Sequence, residues 1–584
     1  MSGFRAEAAV FGLIACLAAE TAAAGPPAAS GPPSMLLPGP APTAEKPAQP
    51  LVRSTRGTAG VVVKSLGDID GPAIGLLDDT NGGLGREMWA GSDHRVIEDM
   101  LARIPAGSNS PPVRNLSRRL LLTTADSPIG EKHRSLLTIR LEELLDAGML
   151  AEAGALAAMA TLKDDPDFSR VQADALLYAQ RKEDVCGPRT VTRLSSDAPF
   201  WMELRAYCYA MDGNDPALEL TRAAMAAQNL DDKAFDVLLG DAIGGKARNP
   251  GEIENPTSLD VFLMLGANVP VSGAVADRLG LPAEIFAMRE KRNPPDVRLA
   301  AAARALKGGS ATAYDLIEIA KAQKFAGDQL AHPVEAAGKM PFLAAEALLY
   351  QAMSSEKDAT ARARLLKAAL TIGESHGLLG VAANINADTI ASIPPDKTLK
   401  DAAPLMARAA MLIGKPDRAA GWIATLDSDQ DNPVSAALAA TLDLIATEPA
   451  RDAQAQAALH WLAGQHDEWA ALVLGVYHVT DSPMPPEAHS AALKLAAQAW
   501  PGRRPAPTEL QRLDAALNDP ERSGEAILTV LDIMGAKGLG DLAPDVTVRL
   551  LQALRREGLT DVARRLGIEA LLTFRMRPSQ AAAK

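Results

Sequence analysis

The chain has 584 residues, 47% of them hydrophobic, 22% charged and only 4% aromatic, so it can bury sizeable cores and is not disordered throughout. A net charge of -13 argues against nucleic acid or an anionic membrane surface as the main partner, and three cysteines exclude a disulfide-dense scaffold or a multi-cysteine metal site. No Val/Ile/Thr-rich alternation recurs along the chain, while alanine, the best helix former, makes up roughly a fifth of it. The length suits about three to five domain-sized units or one long repeat array, and the expected class is all-α.

The first 24 residues read as an export signal. Arg5 is followed by the apolar run from Ala9 to Ala19 and by Ala22-Ala23-Ala24 before Gly25-Pro26, which is the order of a secretory signal peptide cleaved at Ala24. An apolar core of about eleven residues is too short for a bilayer, which needs about 20, and no later stretch is long enough without charges or breakers. The expected mature protein is periplasmic or secreted, with no transmembrane segment. A second reading takes Leu13-Ile14-Ala15-Cys16 as a lipobox, which would make the chain a lipoprotein acylated at Cys16. Residues 25–55 form a Pro/Ala-rich linker, because proline removes ladder donors and favours extended chain.

Residues 56–105 differ in texture. Gly60 to Leu66 reads as a short strand, Gly67 to Pro72 as a turn and Ala73 to Leu77 as a second strand, giving a short N-terminal β or extended clip. A helix then starts near Asp93, with Ser92 or Asp93 as its cap. Asp68, Asp70, Asp78 and Asp79 lack the spacing of a calcium loop, since Gly71 falls at position four and no glutamate closes it, so they read as turn residues.

From Asp93 onward one design recurs: amphipathic helix, glycine, capped helix. Leu137, Leu141, Leu144 and Leu145 share a face, Gly148 stops the helix, and Leu150, Ala153, Leu156 and Ala160 restart it. Trp201, Leu204, Cys208 and Met211 form the next stripe, ended by Gly213, with Asp215-Pro216 expected to cap the following helix. Further pairs turn at Gly414, Gly464 and Gly558. Each pair has an apolar face too large for its own partner, so the expected architecture is an α-solenoid of stacked helical hairpins. Trp201, Leu204 and the Tyr207-Cys208-Tyr209 cluster resemble tetratricopeptide-type repeats, although Arg205 replaces that family's small residue and no 34-residue register recurs. The segment Ser65 to Leu77, between a Pro-rich spacer and a helical body, also resembles uncharacterised exported Ala-rich proteins of alphaproteobacteria, some labelled antifreeze glycopeptide-like. Ala-Ala-Thr occurs here only once, isolated at Ala439-Ala440-Thr441 within an amphipathic helical stretch, so ice binding is not the expectation. Proline clusters place soft boundaries near Pro295 and Pro395, dividing the body into helical-repeat regions 106–295, 296–395 and 396–584.

Cys186 and Cys208 remain once the signal is removed, and are expected to pair as a disulfide closing a 23-residue loop. His460, His466 and His478 crowd one hairpin beside Trp461 and Trp469, but not at the i, i+4 spacing of a zinc helix, so no metal site is assigned and the tryptophans read as core. Glu374-Ser375 followed by Gly377-Leu378 resembles the catalytic Glu-Ser of lytic transglycosylases, which also carry an α-superhelix; the family's following Met-Gln and its lysozyme-like domain are missing. Ser354 and Lys357 fit Ser-x-x-Lys without its companion motifs, and no nucleophile elbow or phosphate loop is present. No catalytic, cofactor-binding or metal residue is assigned. The expected function is an exported scaffold or assembly factor that binds a protein or peptide partner in the cell envelope; the alternative is a peptidoglycan-binding or peptidoglycan-cleaving protein with Glu374 as its acid.

Overall fold

Polar caps and left-handed glycines decide where each helix of this chain begins and ends. In the computed structural model, which describes residues 73–160, 165–187, 196–230, 232–426, 433–445 and 453–574, Asp93 caps His94–Leu101 by accepting from Arg95 N at 3.0 Å. Thr257 and Thr312 close reciprocal capping boxes with Asp260 and Asp315. Gly148, Gly414 and Gly558 each take a positive φ, between 64° and 76°, where a side chain would be strained. The described residues are all helical with no strand, and among them no helix is long and apolar enough to cross a membrane.

The expected hairpins form. Leu136–Asp146 pairs with Leu150–Met159, Ala403–Leu412 with Pro416–Ile423, and Pro544–Arg556 with Thr560–Thr573. Their predicted stripes are buried, with Leu141, Leu144, Ala153 and Leu156 inaccessible. Small residues let the axes approach: a Cβ on Gly475 would lie 2.3 Å from Val548 Cγ2, so Glu468–Val479 and Pro544–Arg556 touch almost backbone to side chain.

An open array would leave the apolar faces of its first and last hairpins to water. Here those faces cover each other. His94–Leu101 and Pro111–Leu122 both pack on Ser523–Met534, and Pro111–Leu122 also packs on Thr560–Thr573. Gly91 N donates to Glu521 O and Gly524 N to Met88 O, each at 2.9 Å. The loop before Pro111–Leu122 ties three remote segments together. Ser108 Oγ donates to Ala536 O (3.2 Å), Asn109 Nδ2 to Leu306 O (2.8 Å) and Ser110 Oγ to Glu569 Oε2 (2.7 Å).

Three expectations need correction. The N-terminal β clip is not seen: Ala73 to Leu77 runs extended, and Leu77 makes a lone bridge to Thr123. Leu76 N and Leu77 N both donate to Leu122 O while Arg140 Nη1 donates to Ile74 O, so among the described residues it is the helical body that holds the segment. Met211 is exposed and Trp201 half-buried; the buried residues of Pro199–Met211 are Phe200, Met202, Leu204, Ala206, Tyr207 and Cys208, more than one stripe, because the helix is covered on more than one side. Asn214, not Asp215, caps the next helix, accepting from Ala217 N at 3.3 Å. Cys16, Ala24, the 25–55 linker and the strand expected at 60–66 lie outside the described residues.

Candidate functional site

The expected cysteine pair forms. Cys186, just after the short helix Lys182–Val185, is bonded to Cys208 near the end of Pro199–Met211, with an S–S distance of 2.10 Å and Cα atoms 5.4 Å apart. On the same helix Tyr207 meets Phe262 edge to face, with ring centroids 5.4 Å apart. Pro199–Met211 is thus fixed by a covalent bond and by an aromatic contact to Ser258–Gly266.

That fixed helix presents Glu203 to a group of carboxylates. Arg170, on Pro166–Tyr178, stacks 3.7 Å over the Phe200 ring and pairs with Asp174 one turn on, at 3.0 Å. Ser258 Oγ donates to Asp174 Oδ1 at 2.5 Å, which joins Pro166–Tyr178 to Ser258–Gly266. Asp260 accepts from Thr257 N (2.7 Å) and Thr257 Oγ1 (2.9 Å), and Asp232 caps Lys233–Gly244 by accepting from Ala234 N at 2.8 Å. Glu203, half-buried, has no hydrogen-bond partner among the described residues. Burial pushes its carboxyl up to about 8, Asp260 and Asp232 add to the rise, and Arg170 opposes it. Burial likewise raises Asp174 and Asp260, and burial with the Asp174 charge raises the Tyr178 phenol. Tyr178 is 7% exposed. The carboxylates do not converge as metal ligands: among the described residues no group of three or more His, Cys, Asp or Glu side chains could hold an ion.

Sequence reasoning missed this carboxylate cluster. Arg170, Asp174 and Tyr178 lie at i, i+4 and i+8 and so share a helical face, a signal that was available. Asp260 and Ser258 arrive from more than 80 residues away, and nothing local announces them.

Glu374, the acid of the peptidoglycan-cleaving alternative, is engaged in an ion pair. It is half-buried and paired with Arg408 Nη1 at 2.5 Å, while Arg408 Nε donates to Leu572 O at 2.6 Å, so the carboxylate ties Ala359–Ser375 to Ala403–Leu412 and the last helix. The three histidines of the 453–479 hairpin do not converge. His460 pairs with Glu487 at 2.7 Å, His478 rests on the His489 ring at 5.0 Å, and His466 is exposed. Trp469 is buried against the edge of Phe574, as core. Ser354 Oγ donates to Tyr350 O within its own helix. Asp78 Oδ1 accepts from Thr80 N and Thr80 Oγ1, which is turn chemistry.

Beside Pro199–Met211, the helix Asp215–Ala227 buries only Thr221 and Met225. Pro216, Leu220, Ala223, Ala224 and Ala227 fall on its opposite side at helical spacing, and all are exposed, Leu220 to 73%. Comparison with known families, with characterised proteins and with solved structures finds no match to this chain.

Proposed function

We propose that this protein is an exported, periplasmic scaffold or assembly factor, an α-solenoid of stacked hairpins whose ends meet, that binds a protein or peptide partner in the cell envelope. The outward apolar face of Asp215–Ala227 carries the reading. A surface helix ordinarily turns its apolar stripe to the core, and a contiguous exposed one marks a place of association. The Cys186–Cys208 bond supports an oxidising compartment, where such bonds persist, and agrees with the signal-like first 24 residues. The tetratricopeptide-like hairpins belong to the same reading, since stacked helical pairs present long binding surfaces.

A photo-crosslinking residue at Leu220 tests it, with one at exposed Lys357 as control. The expected result is one recurrent adduct from position 220, absent from 357 and lost when Ala223→Asp is added. Adducts that are the same from both positions, or none at 220, would remove the scaffold reading. The mature N-terminus should be Gly25; a lipid-modified Cys16 would show the lipoprotein route instead.

A further inference from the structure

A 40 Å³ cavity lies where the extended segment Ala73 to Leu77 meets His94–Leu101, Pro111–Leu122 and Leu136–Asp146. Its walls are mostly apolar, with Trp89, Leu101, Leu120 and Leu137 all buried. Two charged residues line it. Asp126 is already paired with Arg86, at 3.1 Å. Arg140 has no such partner: Nε donates to Leu121 O, Nη1 to Ile74 O at 2.8 Å and Nη2 to Thr123 O at 3.1 Å, and among the described residues no carboxylate pairs with it. A guanidinium carries five N–H donors, so these three bonds leave one hydrogen on each Nη to spare. The carbonyls at the end of Pro111–Leu122 fix the group in place and favour a cation there through the helix dipole, but they bring no net charge. A desolvated cation without an anion costs free energy that a carboxylate would recover, and burial already lowers this guanidinium to about 10.

We propose that this cavity seats one small monocarboxylate, its carboxylate on Arg140 and its short tail against Leu101, Leu120 and Leu137. A planar guanidinium matches a carboxylate, and a single cation beside an apolar wall selects an acid with one charge and an apolar end. Size sets the limit. A water needs roughly 10–15 Å³ of such space, so the cavity takes about three or four non-hydrogen atoms, as in formate or acetate. Because the same guanidinium holds the carbonyls of Ile74 and Thr123, the bound acid would brace the extended segment against the helices. The site is built from other elements than the outward face of Asp215–Ala227, so it stands or falls independently of the scaffold reading.

The test titrates the full chain with sodium acetate at constant ionic strength, reading the melting temperature and the line width of carbon-13-labelled acetate. Acetamide, the neutral isostere, is the control. Acetate is expected to raise the melting temperature and to bind at least tenfold more tightly than acetamide. Ala125→Leu, which puts an isobutyl group into the cavity and leaves Arg140 in place, should weaken acetate binding at least tenfold. Arg140→Gln, which keeps a donor for the carbonyls but removes the charge, should do the same, each variant being read against its own acetate-free state. Should Arg140→Gln fail to fold, Ala125→Leu and the acetamide comparison decide. Equal responses to acetate and acetamide, no response of the wild type, or undiminished binding in Ala125→Leu would overturn the proposal. So would acetate binding found only in Asp68→Asn/Asp70→Asn, which would give the seat to a carboxylate of the chain itself.

Discussion

Glu346→Gln should stabilise this protein, and more so as the pH rises. Glu346 lies on Phe342–Ser355, is 2% exposed and borders a 10 Å³ void among Leu299, Leu316, Leu343 and Ile385. Its Oε2 accepts from Asn386 Nδ2 at 3.1 Å, while Asn386 Nδ2 also donates to Ala382 O. Glu346 Oε1 and Asn386 Oδ1 are both buried with no donor. A proton on Oε1 would give the pair the donor it lacks. Burial raises the carboxyl from 4.5 to about 8, with the Asn386 bond opposing the rise. The folded protein therefore holds a proton here that the unfolded chain releases above pH 4.5, and stability falls with rising pH across that window at about 1.4 kcal/mol per pH unit. The loss comes to roughly 3 kcal/mol at pH 7 and roughly 5 kcal/mol by pH 8, where it levels off. Glutamine stays neutral and can donate to Asn386 Oδ1 as well as accept from Nδ2. Urea unfolding of both proteins from pH 4 to 9 should show midpoints that coincide at the acid end and diverge toward pH 8. A variant that loses stability equally at every pH, or a gap that widens toward acid, would refute the assignment of a neutral carboxyl.

The other expectations concern the ties that hold the body together. Gly524→Val places a Cβ 2.6 Å from Trp89 Cζ3, so it should cost about 1–3 kcal/mol and increase the hydrodynamic radius by parting the first and last helices; an unchanged melting point would count against that seam. Replacing Cys186 and Cys208 together by serine should remove about 3 kcal/mol in the chain-entropy account and expose the 186–208 loop to protease, while a variant with wild-type non-reducing mobility would show that the bond is not made. Glu374→Gln deprives the Arg408 guanidinium of its carboxylate and should lower stability by about 1–3 kcal/mol without altering any peptidoglycan hydrolysis; loss of such hydrolysis in a folded variant would restore Glu374 as a catalyst.

Local chemistry made the hairpins readable. Gly148, Gly414 and Gly558 mark helix ends because only glycine takes that backbone without strain, and Leu137, Leu141 and Leu144 repeat at the helical period because one face is covered. The Cys186–Cys208 bond was readable for a different reason: few cysteines leave few pairings. The clip misled because Val61 to Val63 and Ile74 to Leu77 carry strand propensity, yet the latter segment is fixed by Arg140 and the Leu122 carbonyl, which no local pattern announces. The Ser258–Asp174 and Ser110–Glu569 contacts join positions tens to hundreds of residues apart, and a periodic pattern contains no information about which faces meet at that range.

The loop from Ser108 to Ser110 has a bearing on how the chain acquires its form. Its hydroxyls find their acceptors at Ala536 and Glu569, more than 400 residues downstream. Those two bonds can close only when the C-terminal helices are in place, so the loop before Pro111–Leu122 is among the last parts of the body to be satisfied. Shortening the chain by its final helix should therefore loosen the beginning of the body as much as the end.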